Sequence, residues 1–237
     1  VLDGNKINSI KGSIFEKLEL TDNYLSFKDV EVLPPVEPSK IIGLGYNYKD
    51  LIGPKKTYQE PVIFLKPTTS LIAHKQTIKI PNSNQKTWVE VELAVIIKSK
   101  CKNITKDEAS KHILGYTIGN DITTDNIYAR DHHLARSKGW DTFCSLGPVI
   151  EFDLDTSDLN LTTKINNKIF QNSSTKNRIL DDFETVALIS NFMTLYPGDI
   201  ILTGTPANAE NSIIKNGDSV VLEIENLGSL QNSVSSI

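Results

Sequence analysis

Two carboxylates in close succession, Glu90 and Glu92, interrupt a run of β-branched and apolar residues that extends over residues 87–97. Side chains alternate along a strand, so both acids would share one face, about 6.6 Å apart at roughly 3.3 Å per residue. Burying an unpaired charge costs several kcal/mol. The pair therefore lies either at the solvated end of a strand or against a cation, and this stretch alone leaves both interpretations open.

A third carboxylate, Asp121, follows Asn120 at the end of another apolar run, residues 113–118. This order predicts that Asp121 ends a further strand, although an aspartate in that position is also an ordinary turn former. A polar stretch, residues 124–138, comes next. Loops longer than about 12 residues tend to be functional or disordered, so this stretch is a candidate part of a site.

The composition limits the class of function. The chain has 237 residues, of which 39% are hydrophobic, which fits one large domain or one domain with a small appendage. A net charge of −4 leaves no basic stripe, so we expect a small-molecule ligand and neither nucleic acid nor a membrane surface as partner. No apolar run approaches the roughly 20 residues that span a bilayer, and the first residues do not resemble a secretory signal.

The two cysteines, Cys101 and Cys144, lack the spacing of a zinc site. They predict reduced thiols and a cytoplasmic protein, while a disulfide between them stays open.

The positions of turn-forming residues and prolines predict a β-dominated α+β fold. Short apolar segments separated by turn signals indicate a small β-rich cap over residues 1–38, and a proline-rich junction separates it from residues 39–237. Few helices are expected: Thr105 and Glu108 form a capping box for one that reaches about residue 112. Asp181 or Asp182 would cap a second helix through about residue 193, and the Ser-rich C-terminal tail is expected to fray.

A series of short motifs occurs in a fixed order from about residue 38 to the C-terminus. They are Pro38-Ser39-Lys40-Ile41-Ile42, Asn47-Tyr48, Phe64-Leu65-Lys66-Pro67, Glu90-Val91-Glu92-Leu93-Ala94-Val95, Gly115-Tyr116-Thr117, Asn120-Asp121, Arg136-Ser137-Lys138-Gly139, Asp141-Thr142-Phe143, Leu146-Gly147-Pro148, Pro197-Gly198-Asp199 and Thr203-Gly204-Thr205-Pro206. In type and order this set resembles the fumarylacetoacetate hydrolase family.

The resemblance implies a mixed β-roll or barrel catalytic domain, usually a homodimer, that holds a divalent metal through Glu90, Glu92 and Asp121. Three carboxylates without histidine or cysteine suit Mg²⁺ or Mn²⁺, with Ca²⁺ as a further occupant, better than Zn²⁺. The implied substrate is a small 2-oxo acid, whose keto group such an ion would polarise. An enolate stabilised by the ion then accounts for hydrolysis, carbon–carbon cleavage or decarboxylation, and keto–enol isomerisation within one family.

Four further residues take roles from the same resemblance. Lys138 is the implied catalytic residue, because an ammonium near the metal holds the substrate carboxylate or the enolate, or moves a proton if its pKa is lowered. Its polar loop shows no evident internal partner, and the alternative is a solvated lysine. Thr205, Lys66 and Gln171 are the implied substrate-binding residues, with turn chemistry as the alternative for Thr205 and a scaffold role for Gln171.

The chain departs from the family pattern away from the metal. Many members have a histidine three residues after the Asn-Tyr pair and a glutamate three residues further on, a dyad that positions or deprotonates water. Leu51 and Pro54 occupy these positions here. Asp125 and Tyr128 stand where an arginine and a glutamine are frequent. We therefore expect the metal end of the site to be intact and its water-activating end to be changed.

Several functions remain open. The first is a metal-dependent enzyme acting on 2-oxo acids or their enols by cleavage, decarboxylation or isomerisation, with an acylpyruvate-type hydrolase as the alternative. The second is a paralogue that binds metal and an acid without turnover, and the third a metal-free two-carboxylate hydrolase such as a glycosidase. His132 and His133 could supply a base, or form a solvated pair on their loop.

Overall fold

The computed structural model describes residues 1–52, 60–82 and 85–237. Its strands, in chain order, are β1 (Leu2–Asp3), β2 (Lys6–Gly12), β3 (Leu18–Ser26), β4 (Ile41–Gly45), β5 (Val62–Lys66), β6 (Leu71–Ala73), β7 (Thr77–Ile80), β8 (Thr87–Trp88), β9 (Val91–Ile97), β10 (Ile113–Asp121), β11 (Thr123–Thr124), β12 (Cys144–Glu151), β13 (Asn160–Ile165), β14 (Lys168–Ser174), β15 (Ile200–Leu202), β16 (Ser219–Ile224) and β17 (Gly228–Ser236). The α-helices are α1 (Lys49–Ile52), α2 (Lys106–Ala109), α3 (Ala135–Lys138) and α4 (Asp182–Phe192). The fold is therefore β-dominated, as predicted.

A curled seven-stranded sheet in the order β5-β4-β15-β9-β10-β12-β6 forms the centre of the protein. Strand β9 lies in its middle and is buried along its whole length. Antiparallel pairing with β10 sets Glu92 opposite Gly119 and Val91 opposite Asn120. The predicted strand over residues 87–97 is interrupted at Val89 and Glu90, which separate β8 from β9.

The two faces of β9 enter different clusters, as its alternating side chains require. Val91, Leu93, Val95 and Ile97 join the larger core, which includes apolar side chains of a second, five-stranded sheet in the order β14-β13-β16-β17-β7. The opposite face continues from Glu92 into a smaller apolar cluster that contains Ala94, Ile96, Ile200 and Leu202. Glu92 thus lies next to the smaller apolar cluster, on the same face of β9.

Strands β1, β2 and β3 form a separate three-stranded sheet at the N-terminus. Ile14 and Phe15, from the turn after β2, pack against the smaller apolar cluster. The junction near residue 38 is fixed by the buried Asp199, which pairs with Lys40 and accepts hydrogen bonds from the Ser39 N–H (3.1 Å) and hydroxyl (2.6 Å). The division into residues 1–38 and 39–237 stays a prediction.

Both predicted helix starts are confirmed. Thr105 and Glu108 form the capping box of α2, and Asp181 caps α4 through the Glu184 N–H (2.8 Å). The prediction of a fraying C-terminal tail is wrong, because β17 pairs with β16 and β7. Its inward side chains Leu230 and Val234 are buried while serines face outward, a period-2 pattern that the serine content obscures.

The longest helix of the described residues, α4, has 11 residues, and none of the helices there could cross a membrane. Cys101 and Cys144 are both buried and free, so the disulfide that the sequence left open does not form.

Candidate active site

The three carboxylates predicted as ligands lie together at one end of the central sheet. Glu90 follows β8, Glu92 lies in β9, and Asp121 is the last residue of β10. One oxygen from each lies within 4.8 Å of the others, and the residues are 8%, 1% and 0% exposed. A backbone hydrogen bond joins two of these residues, since the Asp121 N–H donates to the Glu90 carbonyl (3.1 Å). Asp121 thus lies beside Glu90 and Glu92, the two acids that the sequence pattern placed on one face.

Two lysines enter the cluster. Lys66, at the end of β5, donates to Asp121 Oδ1 (2.6 Å) and to the Ile122 carbonyl (3.2 Å). Lys138, the last residue of α3, donates to Glu90 Oε2 (3.2 Å) and pairs with Asp121 Oδ2. With every group ionised, the three acids and two lysines carry one net negative charge in a buried site.

The expectation that Lys138 has no internal partner is wrong. The loop that carries it ends in α3, whose first turn is held by Asp131 through the Ser137 N–H (2.7 Å) and hydroxyl (2.8 Å). This turn directs Lys138 inward, where it is 8% exposed and also donates to Thr123 Oγ1 (2.8 Å). The alternative of a solvated loop lysine is therefore excluded.

An aromatic ring also contacts the Lys138 ammonium. The Lys138 nitrogen lies 4.7 Å from the centre of the Phe64 ring, a cation–π geometry. Gly43 faces Phe64 across β4 and β5, and a Cβ atom at Gly43 would overlap that ring. The glycine thus makes room for the ring, a role that the motif alone did not reveal.

Glu92 is held by a turn instead of a lysine. Its Oε2 accepts the Gly204 N–H (2.6 Å), and Gly204 has a left-handed φ of +96°. A Cβ atom there would lie 3.0 Å from the Cβ of Asn47, whose amide donates to the Thr203 carbonyl (2.9 Å). Glycine is needed for both the conformation and the close approach.

Thr205 and Gln171 lie together beyond this turn. Gln171 is fully buried and donates to Thr205 Oγ1 (3.0 Å) and to the Pro206 carbonyl (3.0 Å). Its own oxygen accepts from Thr163 Oγ1 (2.7 Å) and from the Val91 N–H (3.4 Å). This arrangement favours the scaffold alternative for Gln171, while substrate binding by Thr205 stays a prediction.

Burial and mutual charge shift the pKa of each acid. Burial, followed by the charges of Asp121 and Glu90, raises the pKa of Glu92 well above its usual range. Burial also raises the pKa of Glu90, although Lys138 opposes this. Asp121 differs: burial raises its pKa, but Lys138 and Lys66 together lower it below the ordinary value.

Lys138 keeps its proton. Burial lowers its pKa, yet the charges of Asp121 and Glu90 outweigh burial and raise the pKa above the usual lysine value. The sequence assigned Lys138 a proton-moving role only if its pKa is lowered; in the ion-free cluster its pKa is raised instead, and Lys138 acts there as a cation and hydrogen-bond donor.

The donor set fits a divalent cation. Three carboxylates converge, and Glu92 is held by a backbone N–H and not by a lysine; burial and the charges of Asp121 and Glu90 raise its pKa, a repulsion that a bound cation would relieve. Hard oxygen ligands of this kind suit Mg²⁺ or Mn²⁺.

Comparison with known proteins identifies the family. Residues 40–235 match the family model described as fumarylacetoacetate (FAA) hydrolase C-terminal. This chain belongs to the fumarylacetoacetate hydrolase family. The match covers every residue of the cluster described above.

Three relatives of the fumarylacetoacetate hydrolase family illustrate its range. The mitochondrial oxaloacetate tautomerase of Xenopus laevis is 34% identical over 92% of this chain and 72% of its own. The structure of a 2-hydroxyhepta-2,4-diene-1,7-dioate isomerase from Mycobacterium marinum is 38% identical with a TM-score of 0.89, covering 98% of this chain and 88% of that one. Maleylpyruvate hydrolase from Sphingobium sp. SYK-6, solved with manganese(II) and pyruvate, is 28% identical with a TM-score of 0.78, covering 92% and 77%.

The departures from the family pattern lie on two segments. Leu51, in α1, is half-buried and packs against the larger core, while Pro54 lies outside the described residues. Asp125 accepts the Lys86 N–H (2.8 Å), which is a structural contact, and Tyr128 is exposed with a left-handed φ of 54°.

His132 and His133 are exposed. They line a surface cleft together with residues 62–65 of β5 and with Phe192. This position favours the solvated-pair interpretation over that of a catalytic base.

Proposed function

We propose that this protein is a divalent-metal-dependent enzyme that interconverts the enol and keto forms of small 2-oxo acids, or decarboxylates them. The observation that carries the proposal is the convergence of Glu90, Glu92 and Asp121 with the two buried lysines, Lys66 and Lys138. The family includes relatives named as an oxaloacetate tautomerase and as a dioate isomerase, and both names denote proton shifts in 2-oxo or 2-hydroxy-2-enoic acids.

The three carboxylates would hold the ion, with Mg²⁺ or Mn²⁺ as the occupant that their hard oxygens favour. When bound, such an ion supplies Lewis-acid polarisation of the substrate's keto oxygen. The solved manganese(II) and pyruvate complex of the related maleylpyruvate hydrolase supports this choice of ligand class.

Lys138 would bind the negative charge that develops during the reaction. In the ion-free cluster Asp121 and Glu90 raise its pKa, and its nitrogen lies 4.7 Å from the centre of the Phe64 ring. A fixed cation of this kind stabilises an enolate or a carboxylate at low cost in reorganisation. Lys66 has a supporting role, since it is fully buried and bound to Asp121.

Leu51 favours proton-shift chemistry over hydrolysis. Attack by water on an acylpyruvate carbonyl needs a base, and an aliphatic side chain cannot accept a proton. Leu51 is instead half-buried against the core. Enol–keto exchange removes a proton from the enol oxygen and adds a proton to the adjacent carbon, and decarboxylation moves the electrons of the broken carbon–carbon bond into the keto group; neither reaction includes attack by water on a carbonyl.

A substrate panel tests this proposal. The purified protein, with Mg²⁺ or Mn²⁺, is assayed for oxaloacetate enol–keto exchange, oxaloacetate decarboxylation and acylpyruvate hydrolysis, each with and without a chelator. We expect ion-dependent exchange or decarboxylation to exceed hydrolysis. Hydrolysis at tens of turnovers per second, the range of ordinary enzymes, would contradict the assignment.

An acylpyruvate-type hydrolase is the second candidate, favoured by the structural similarity to maleylpyruvate hydrolase. The same panel separates the two. Binding of Mn²⁺ and pyruvate with no turnover of any substrate would instead indicate a paralogue that has lost catalysis.

A further inference from the structure

Glu90 presents its two oxygens unequally. Its Oε1 accepts the Trp88 indole N–H (2.7 Å) and the Thr123 hydroxyl (2.8 Å), whereas its Oε2 faces Lys138 (3.2 Å). A carboxylate oxygen has two lone-pair sites. Both sites of Oε1 are thus used by neutral donors of the protein, and Oε2 is the oxygen directed to the cluster.

The two donors are rigidly placed. Trp88 and Thr123 are direct partners in the ladder between β8 and β11, and Trp88 also forms a bridge with Ile213. Thr123 is buried and Trp88 half-buried. Because both donors come from one paired position, the ladder fixes their backbones relative to each other, although the Thr123 hydroxyl also lies 3.2 Å from the Asp121 carbonyl oxygen.

The other two acids show the same division. Glu92 has Oε2 bound to the Gly204 N–H (2.6 Å), and Asp121 has Oδ1 bound to Lys66 (2.6 Å). In each acid, therefore, a donor other than Lys138 holds one oxygen. The remaining oxygens of Glu90 and Asp121 face the Lys138 ammonium, so an ion that binds one oxygen of each carboxylate would displace Lys138 from these two acids.

We infer that Trp88 and Thr123 are positioning residues that restrict Glu90 to a single ligand oxygen and so select Mg²⁺ and Mn²⁺ over Ca²⁺. This inference rests on the proposed metal centre. Ca²⁺ takes six to eight oxygens and often a bidentate carboxylate, whereas Mg²⁺ requires a small octahedral set. Freeing Oε1 would let Glu90 bind with both oxygens, which favours the larger ion.

The test is calorimetric titration of the chelator-stripped full chain with Mn²⁺, Mg²⁺ and Ca²⁺. Trp88→Phe keeps an aromatic ring and removes the N–H, and Thr123→Val keeps the shape and removes the hydroxyl. Trp140→Phe is the matched control, because the Trp140 N–H donates to the Arg136 carbonyl (2.6 Å) and not to a carboxylate. Thr123→Ser, which keeps the hydroxyl, is the conservative control.

We expect the preference for Mn²⁺ over Ca²⁺, the ratio of the two affinities, to fall by at least about tenfold in Trp88→Phe and Thr123→Val, in line with the effect of outer contacts on metal sites. Both controls should retain the wild-type ratio. An unchanged ratio in both test variants, or equal weakening of both ions, would overturn the inference and leave the metal centre standing. Failure of the wild type to bind any of the ions would overturn the proposed metal centre and the inference with it.

Discussion

Replacing Asp121 by Asn tests the charge arrangement of the site most severely. The side chain keeps its size, but both oxygens of Asp121 pair with lysines, and Asp121 and Lys66 have fully buried side chains. Removing one partner from a buried ion pair costs about 3–5 kcal/mol, because the other charge is left uncompensated. For a chain of this length each kcal/mol corresponds to about 2–4 °C, so the melting temperature should fall by roughly 6–20 °C.

The same variant should lose its response to metal. An ion that binds only the folded wild type at about 100 times its Kd adds about 2.7 kcal/mol to the free energy of unfolding. In Asp121→Asn one ligand charge is gone, so the gain from Mn²⁺ at that concentration should be close to zero. Urea unfolding followed by circular dichroism, with Mn²⁺ or with chelator, measures both effects.

Asp199→Asn is the matched control. Asp199 is also fully buried and pairs with a lysine, Lys40, but it holds the junction near residue 39 and not the acid cluster. This variant should lose stability and still gain the full increment from Mn²⁺. If Asp121→Asn is as stable as the wild type, or responds to Mn²⁺ as the wild type does, the assigned charge arrangement is wrong.

Three other perturbations probe separate parts of the site. Lys138→Met should lower kcat/KM by at least about tenfold, or about 1.4 kcal/mol, and tighten Mn²⁺ binding because a competing cation is removed; unchanged kinetics would refute its role. Leu51→His combined with Pro54→Glu should raise the share of acylpyruvate hydrolysis among the products, and a constant share would contradict the argument about the missing base. Gly43→Ala should destabilise the protein by about 1–3 kcal/mol, since the added methyl overlaps the Phe64 ring, and an unaltered thermal melt would show that the ring is not confined.

Local patterns predicted the scaffold of the site well. The apolar runs that became β9 and β10 place Glu92 within one strand and Asp121 at the end of the other, and the capping boxes at Thr105 and Asp181 start helices. These features depend on residues within a few positions of one another. Pattern and turn chemistry are therefore sufficient for them.

Features that depend on distant parts of the chain were not predictable in this way. The Lys138 partners lie 15 to 48 residues earlier in the sequence, and the Trp88–Thr123 pair exists only once β8 and β11 meet. Trp88 lies two residues before Glu90 in the sequence, but its contact with the Glu90 carboxylate can be inferred only when the pairing of β8 with β11 is known.

The most direct test of the account is the anomalous scattering of Mn²⁺ in crystals of the protein grown with manganese and pyruvate. We expect an anomalous peak in contact with one oxygen each of Glu90, Glu92 and Asp121, next to pyruvate and the Lys138 ammonium. A peak elsewhere, or no peak among these three acids at saturating Mn²⁺, would contradict the assignment of this cluster as the catalytic metal centre.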